Sequence, residues 1–243
     1  MGLTPVLAAL RARGAEALSL WIANTRSPGP ILAEIVDLAQ ELGLPIQKVD
    51  RQELDRLSLT LHQGVIAQFK PRPVLAWGDF LASLDLKNAP QKNCLLLALD
   101  HLEDPHNLGA LWRSSAAFGV KGLICPKDRA ALPTQVVYKT AAGGAEVTPL
   151  FEVTNLVRAL EDLKEKGFWL VGAEGEEGQS LWDFAFPERT VLILGSEGQG
   201  LSRLVREKTD FLVHIPLTGP INSLNVSAAG AVLLAAYAKT FQP

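Results

Sequence analysis

The chain has 243 residues, and its apolar fraction of 48% is enough for a buried core in one large domain or two modest ones. Its two cysteines, Cys94 and Cys125, lie far apart without a CxxC pair, so the sequence indicates neither a disulfide framework nor a thiolate zinc site. The net charge of -3 excludes a strongly basic nucleic-acid-binding composition, and any RNA contact depends on local clusters of Lys and Arg.

The N-terminal residues lack the basic region and the apolar stretch of a secretory signal, and we expect a cytoplasmic protein. The most apolar stretch, residues 226–238, is shorter than the roughly 20 residues that cross a bilayer. We therefore expect a buried helix there and no membrane association.

Residues 1–70 predict a small α/β domain. Residues 17–22 and 65–69 are strand-like apolar runs, and residues 30–42 have the apolar spacing of a helix. The polar, proline-containing residues 71–93 predict a linker with one short helix near 79–84. A second domain follows over residues 94–243.

The second domain predicts alternating strands and helices. The strand candidates are 95–99, 122–125, 168–173, 191–194 and 211–215, and the helix candidates are 107–118, 153–166, 201–207 and 223–240. Unbroken apolar strands between helices indicate a mostly parallel sheet covered on both faces. Ligands of such sheets bind beyond the carboxyl ends of the strands, so we expect the site after Leu99, Leu194 and Ile215.

The first of these three segments, residues 100–109, contains two histidines and three carboxylates. His101 and His106 are five positions apart, which does not match metal-ligand spacing on a helix, so we expect no metal. Asp104 and Pro105 suit the start of a helix, which places Arg113 near the beginning of that helix.

The second segment runs from Leu194 through Gly195-Ser196-Glu197-Gly198-Gln199-Gly200. Its glycines permit tight turns and close approach of a ligand, but the spacing is neither GxGxxG nor a P-loop. A purely structural turn explains the glycines equally well. Glu197 between them favours a functional role.

The third segment joins Ile215-Pro216 to Ser223-Leu224-Asn225-Val226-Ser227. Ser223 and Asn225 each suit the cap of the final helix, which is a sufficient structural explanation for both. The small residues 227–230 permit close packing of another helix or subunit.

In this order, the three segments resemble the signature motifs of the SpoU (TrmH-like) RNA 2'-O-methyltransferases of the SPOUT superfamily. His62-Gln63-Gly64-Val65 and Lys70-Pro71-Arg72-Pro73 are similar to the end of the substrate-binding domain in the branch that methylates a guanosine in the peptidyl-transferase P-loop of 23S rRNA. The resemblance implies an α/β fold with a parallel sheet and a C-terminal trefoil knot, preceded by a ribosomal-protein-like RNA-binding domain. It also implies a homodimer and S-adenosylmethionine as cofactor.

The resemblance also implies the site residues. The cofactor-binding positions are Gly143, Leu194, Gly195, Ile215 and Leu224, and the catalytic positions are Asn107, Arg113, Glu197, Ser223 and Asn225. Many relatives have Ser where this chain has Ala141. The family mechanism uses the arginine as base, but an arginine is nearly always protonated. We therefore expect Arg113 to bind phosphate and stabilise the oxyanion, while Glu197 or water accepts the proton.

Three alternatives stay open at this point. One is a tRNA guanosine as substrate, which the N-terminal domain disfavours. Another is a non-catalytic RNA-binding factor in ribosome assembly, which Arg113, Glu197 and Asn225 disfavour. The third is a nucleotide-dependent oxidoreductase, which the missing GxGxxG disfavours.

Overall fold

The computed structural model describes residues 2–24, 29–57, 62–70, 76–84, 93–128, 130–131, 133–175, 177–196 and 198–241. The helices are α1 (Leu3–Arg13), α2 (Pro30–Glu41), α3 (Arg51–Leu57), α4 (Trp77–Ser83), α5 (Pro105–Ala117), α6 (Gln135–Ala141), α7 (Gly144–Val147), α8 (Leu156–Glu165), α9 (Arg203–Lys208) and α10 (Val226–Phe241). The strands are β1 (Ala17–Ala23), β2 (Ile46–Val49), β3 (Val65–Phe69), β4 (Cys94–Leu99), β5 (Leu123–Pro126), β6 (Leu150–Val153), β7 (Trp169–Ala173), β8 (Gln179–Ser180), β9 (Arg189–Leu194) and β10 (Phe211–His214).

The chain forms two compact units. The first consists of Met1–Val74 together with Ala142–Val147, and the second consists of Leu75–Ala141 and Thr148–Pro243. The domain limits predicted from the sequence, 1–70, 71–93 and 94–243, stay predictions. Most of the predicted linker lies outside the described residues.

The first unit is built on a three-stranded sheet in the order β2-β1-β3, in which β1 is parallel to β2 and antiparallel to β3. Leu20, Ile35 and Val65 form the fully buried centre of its core. The strands predicted at 17–22 and 65–69 and the helix predicted at 30–42 are all present. Helix α1 and strand β2 were not predicted.

A buried histidine fixes the turn before β3. His62 is only 3% exposed, and its Nδ1 accepts a hydrogen bond from the backbone N–H of Gly64 at 3.0 Å. Since Nδ1 is an acceptor, Nε2 carries the hydrogen and donates to Asp55 Oδ1 at 2.8 Å. The next residue, Gln63, accepts from the N–H of Leu3 through its Oε1 at 2.9 Å. The turn thus ties together α1, α3 and β3.

The second unit contains a seven-stranded, fully parallel sheet in the order β6-β5-β4-β9-β7-β10-β8. All six residues of β4 are buried, as expected for a central strand covered on both faces. The predicted α/β class and parallel sheet are confirmed. The trefoil knot stays a prediction.

The region around residue 153 differs from the prediction. Residues 150–153 form strand β6, and the helix predicted from 153 begins at Leu156, where the Asn155 side chain accepts from the N–H of Arg158 at 3.1 Å. The helix ends at Glu165, and Gly167 follows it with a φ of +78° and an N–H that donates to the carbonyl of Lys164 at 2.8 Å. Side-chain capping therefore sets the start of this helix, and glycine sets its end.

Among the described residues, no helix is long and apolar enough to cross a membrane.

Candidate active site

The carboxyl ends of three neighbouring strands border a cavity in the second unit. Strands β9, β7 and β10 are adjacent and parallel, so the segments that follow them meet at one edge of the sheet. The cavity has a volume of about 360 Å³. It is lined by Ala173, Glu174, Gly175, Leu194, Gly195, Ser196, Gly198, Gln199, Gly200, Val213, Ile215, Leu217, Asn222, Ser223, Leu224, Val226, Ala229 and Leu233. The edge predicted from the sequence is therefore the edge that carries the cavity.

Four of the five predicted cofactor positions, Leu194, Gly195, Ile215 and Leu224, line this cavity. The fifth, Gly143, belongs to the first unit and is not among the lining residues. A Cβ on Gly143 would lie 2.7 Å from the Cβ of Ala8, and its φ is +97°. In the structure Gly143 thus permits close packing against α1, and its predicted contact with the cofactor stays a prediction.

The glycine-rich loop after β9 is a closed turn. Ser196 and Gly200 exchange two backbone hydrogen bonds of 3.0 Å, which bring the ends of the loop together. A Cβ on Gly195 would lie 2.1 Å from the carbonyl carbon of Gly200, closer than any real contact. Only glycine fits at position 195, because the colliding atom belongs to the backbone and cannot rotate away.

A buried carboxylate holds this loop against the neighbouring strand end. Asp100, only 1% exposed, accepts from the N–H of Ser202 through Oδ2 at 2.7 Å. Its own N–H donates to the carbonyl of Leu194 at 2.8 Å. The ends of β4 and β9 and the start of α9 are joined in this way. Asp100 is not among the site residues predicted from the sequence.

Two predicted catalytic residues are hydrogen-bonded to each other. Asn225 Nδ2 donates to Asn107 Oδ1 at 3.0 Å, and Asn107 is only 5% exposed. Asn225 Oδ1 also accepts from the backbone N–H of Ser227 at 2.9 Å and from its hydroxyl at 2.6 Å. Asn225 thus caps α10, as the sequence suggested, and the helix starts at 226 rather than at the predicted 223.

The other three predicted catalytic residues are not part of this hydrogen-bonded pair. Ser223 is exposed and lines the cavity. Arg113 is exposed and forms no ion pair with any residue that the structure describes. It lies past the middle of α5 rather than near its start as predicted, because the helix begins at Pro105, where Asp104 accepts from the N–H of His106 at 2.8 Å. Glu197 lies outside the described residues.

Sequence reasoning missed Glu174 as a lining residue. Its backbone N–H donates to the carbonyl of Val213 at 3.0 Å, which anchors it between β7 and β10. Its carboxylate lies 3.9 Å from Arg206 Nε. The available signal was its position directly after a buried strand, the rule that had been applied only to three other strand ends.

Within the described part of the chain, no group of three or more His, Cys, Asp or Glu residues is arranged to hold a metal ion.

Comparison with known families identifies the second unit. Residues 94–235 match the SpoU rRNA Methylase family, over more than half of the chain. The chain belongs to the SpoU rRNA methylase family. Residues 1–75 match a second SpoU-associated family, the RNA 2'-O ribose methyltransferase substrate-binding domain.

Individual SpoU relatives match over most of their length. The 23S rRNA (guanosine-2'-O-)-methyltransferase RlmB of Pseudomonas aeruginosa is 42% identical over 96% of this chain and 92% of its own. The putative TrmH family tRNA/rRNA methyltransferase YacO of Bacillus subtilis is 38% identical over 88% of this chain and 85% of its own.

A solved structure supports the fold. The SpoU methyltransferase AviRb of Streptomyces viridochromogenes, crystallised with AdoMet, superimposes with a TM-score of 0.69 at 23% identity, covering 98% of this chain and 88% of the other. At this identity the likeness establishes the shared fold.

Proposed function

We propose that the protein transfers the methyl group of S-adenosylmethionine to the ribose 2'-oxygen of a guanosine in 23S rRNA. The observation that carries this proposal is the convergence of Leu194, Gly195, Ile215 and Leu224, the positions implied by the SpoU resemblance, on one cavity. The relative from Pseudomonas aeruginosa is named for the same reaction.

The cavity suits the methyl donor. Its volume of about 360 Å³ lies within the roughly 300–1,000 Å³ range of small-molecule pockets. Leu194, Ile215 and Leu224 supply apolar surface for a purine, and the Glu174 carboxylate can accept hydrogen bonds from ribose hydroxyls. Gly195, which has no side chain, lets the ligand approach the backbone.

S-adenosylmethionine supplies an electrophilic methyl group, so the protein must align the ribose oxygen with it and remove one proton. Arg113, exposed and without an ion-pair partner among the described residues, is free to bind the phosphate of the target nucleotide and stabilise the developing oxyanion. The Asn107–Asn225 hydrogen bond fixes the start of α5, the helix that carries Arg113. Glu197 or a water molecule accepts the 2'-hydroxyl proton.

The proposal includes a homodimer whose active site is completed across an interface near α10. Its support is the resemblance together with the small residues 227–230 at the start of that helix. Light scattering coupled to size-exclusion chromatography tests the dimer, and a monomer at micromolar concentration would contradict it. The proposed compartment is the cytoplasm, where rRNA is available.

The experiment that tests the reaction is transfer of labelled methyl from S-adenosylmethionine to 23S rRNA and tRNA transcripts, followed by mapping of the modified nucleotide. A matched 23S transcript with a 2'-deoxy sugar at the mapped position is the control, because it lacks the nucleophile. Label on a 23S guanosine that is absent from the deoxy control supports the proposal. Label on tRNA alone supports the methyl transfer but contradicts 23S rRNA as the substrate. No label on either transcript contradicts the proposed enzymatic function.

A further inference from the structure

A second, larger cavity adjoins the proposed donor cavity. Its volume is about 760 Å³, and its lining contains His101, Glu103 and Asp104 from the loop after β4. The two cavities share Ser196, Gln199 and Gly200, so the closed glycine-rich turn is a common wall. A ligand in the second cavity therefore lies beside the donor, with only this turn between them.

His101 is held at the wall of this cavity by the buried Asp100. Its Nδ1 lies 2.6 Å from Asp100 Oδ1, while Asp100 Oδ2 accepts from the N–H of Ser202. A carboxylate only accepts hydrogen bonds, so in the neutral imidazole the hydrogen is on Nδ1 and Nε2 is an acceptor. Nε2 forms no hydrogen bond with any described residue.

The backbone of His101 supports a specific role for this side chain. Its φ is +61°, a left-handed conformation that costs free energy for any residue other than glycine. The hydrogen bond to Asp100 offsets part of this cost and orients the ring.

Glu103 supplies a second acceptor to the same cavity. Its side chain is exposed and forms no hydrogen bond with any residue in the described part of the chain. Asp104, in contrast, already accepts from the N–H of His106 as the cap of α5. His101 and Glu103 are therefore the two acceptors of this loop that remain available to a ligand.

We propose that the second cavity binds the base of the target guanosine, with His101 Nε2 and the Glu103 carboxylate accepting hydrogen bonds from guanine N1–H and the 2-amino group. This inference rests on the proposed function and extends it to base selection. Guanine alone among the four bases presents two adjacent donors on its pairing edge. Adenine would place its N1 lone pair against an acceptor, which is repulsive.

The shared wall explains how one nucleotide can serve both cavities. A base in the larger cavity carries its ribose toward the boundary at Ser196 and Gly200. The 2'-oxygen is then next to the cavity that holds the methyl donor, as in-line transfer requires. Arg203, on the rim of the larger cavity, forms an exposed ion pair with Glu207 at 2.6 Å and can exchange this partner for a flanking phosphate.

The test compares methylation of two transcripts that differ only at the mapped position, one with guanosine and one with inosine, which lacks the 2-amino group. We expect the wild-type kcat/KM to favour guanosine by about 10- to 100-fold. Glu103→Ala removes the proposed acceptor of the 2-amino group and should lower kcat/KM for guanosine and move the ratio toward 1. His101→Gly, which suits the positive φ and removes the acceptor of N1–H, should lower kcat/KM for both transcripts. The dissociation constant of S-adenosylmethionine, measured by calorimetry, should stay within about twofold of wild type. Glu165→Ala, which removes an exposed carboxylate on α8, is the matched control and should keep the wild-type ratio.

Three other outcomes would each contradict the guanine pocket. Equal methylation of guanosine and inosine by the wild type overturns the guanine pocket and leaves the methyltransferase reaction intact. A wild-type ratio retained in Glu103→Ala overturns it as well, and this substitution at an exposed position gives the answer even where His101→Gly fails to fold. Absence of methylation in the wild type on both transcripts refutes the proposed function together with the pocket.

Discussion

Asn225 Nδ2 donates a hydrogen bond of 3.0 Å to Asn107 Oδ1, across 118 positions of sequence. The bond joins the first turn of α5 to the cap of α10, so the two helices that carry predicted catalytic residues are fixed to each other at their starts. The helices also pack closely, since a Cβ on Gly230 would lie 2.3 Å from a methyl group of Leu111.

Replacing Asn225 should therefore affect both stability and activity. Asn225→Ala removes the cap of α10, which costs about 1 kcal/mol, and the partly buried hydrogen bond to Asn107, worth about 1 kcal/mol more. The difference in the free energy of urea unfolding between the wild type and Asn225→Ala measures the sum of these two losses. Ser227→Ala is the control, because it loses one hydroxyl contact and keeps the cap. Equal midpoints for the two variants would show that the link to Asn107 contributes nothing.

Replacing Arg113 should separate turnover from donor binding. Arg113→Ala is expected to lower kcat by at least about 100-fold, because the oxyanion and phosphate lose their cation. Calorimetric affinity for S-adenosylmethionine should change little, since Arg113 does not line the donor cavity. Arg158→Ala, an exposed arginine on α8, is the control and should retain wild-type turnover. Near-normal turnover of the Arg113 variant would remove this residue from the mechanism.

A methyl group at position 195 should distort the wall of the donor cavity. Gly195→Ala places a Cβ against the backbone of Gly200 and forces the loop to open. We expect at least a tenfold loss of S-adenosylmethionine affinity, or about 1.4 kcal/mol. Gly219→Ala, where a Cβ meets nothing within 4 Å, is the matched control. Unchanged binding in Gly195→Ala would show that the loop does not contact the donor.

The stability of the first unit should depend on His62. His62→Ala removes a buried acceptor for the N–H of Gly64 and a partner of Asp55, and we expect a loss of about 1–3 kcal/mol in the free energy of unfolding of that unit. Hydrogen exchange of the backbone amides of β1, measured in the full chain at increasing urea concentrations, reports on this unit. His106→Ala, an exposed histidine, is the control. Equal urea midpoints for His62→Ala and His106→Ala would contradict the structural role of the turn before β3.

The buried thiols should make the fold sensitive to alkali. Burial raises the pKa of Cys125 from 9.0 to about 12, and burial likewise raises the pKa of Cys94. The folded state holds these protons more tightly than the unfolded state, so their contribution to stability is complete below pH 9 and is lost as the pH rises toward 12. Each thiol contributes a slope of up to about 1.4 kcal/mol per pH unit.

Urea midpoints measured between pH 8 and 11 test this slope. Cys125→Ala should show a shallower decline than the wild type, because one of the two thiol contributions is removed. Parallel declines in the two proteins would show that Cys125 ionises equally well in the folded and unfolded states.

The pattern of apolar residues along the sequence predicted the strands that are buried along most of their length. Strands β4 and β9 were predicted because all six residues of β4 and the last four of β9 are apolar, as a central parallel strand requires. Strand β6 was missed because it has only four residues, and its exposed Glu152 interrupts the pattern. Helix α1 was missed because Gly2 and Pro5 resemble turn residues, although proline is tolerated in a first helical turn.

The candidate site, too, could be predicted only in part from the sequence. The rule for parallel sheets located the edge that carries the cavity, and the family resemblance named four of its lining residues. The hydrogen bonds of Asp100 with Ser202 and of Asn225 with Asn107 join positions more than 100 residues apart. Such pairs depend on tertiary packing, which the spacing of residues along one sequence does not encode.

The collision between a side chain at position 195 and the backbone of Gly200 restricts how this gene can vary. Every missense change of a glycine codon introduces a residue with a Cβ, so no amino-acid replacement at Gly195 avoids the clash. Gln199, in contrast, is exposed at the rim of both cavities and tolerates exchange sterically. Variation that alters ligand preference is thus confined to a few outward-facing positions of the turn, while the path of its backbone stays the same.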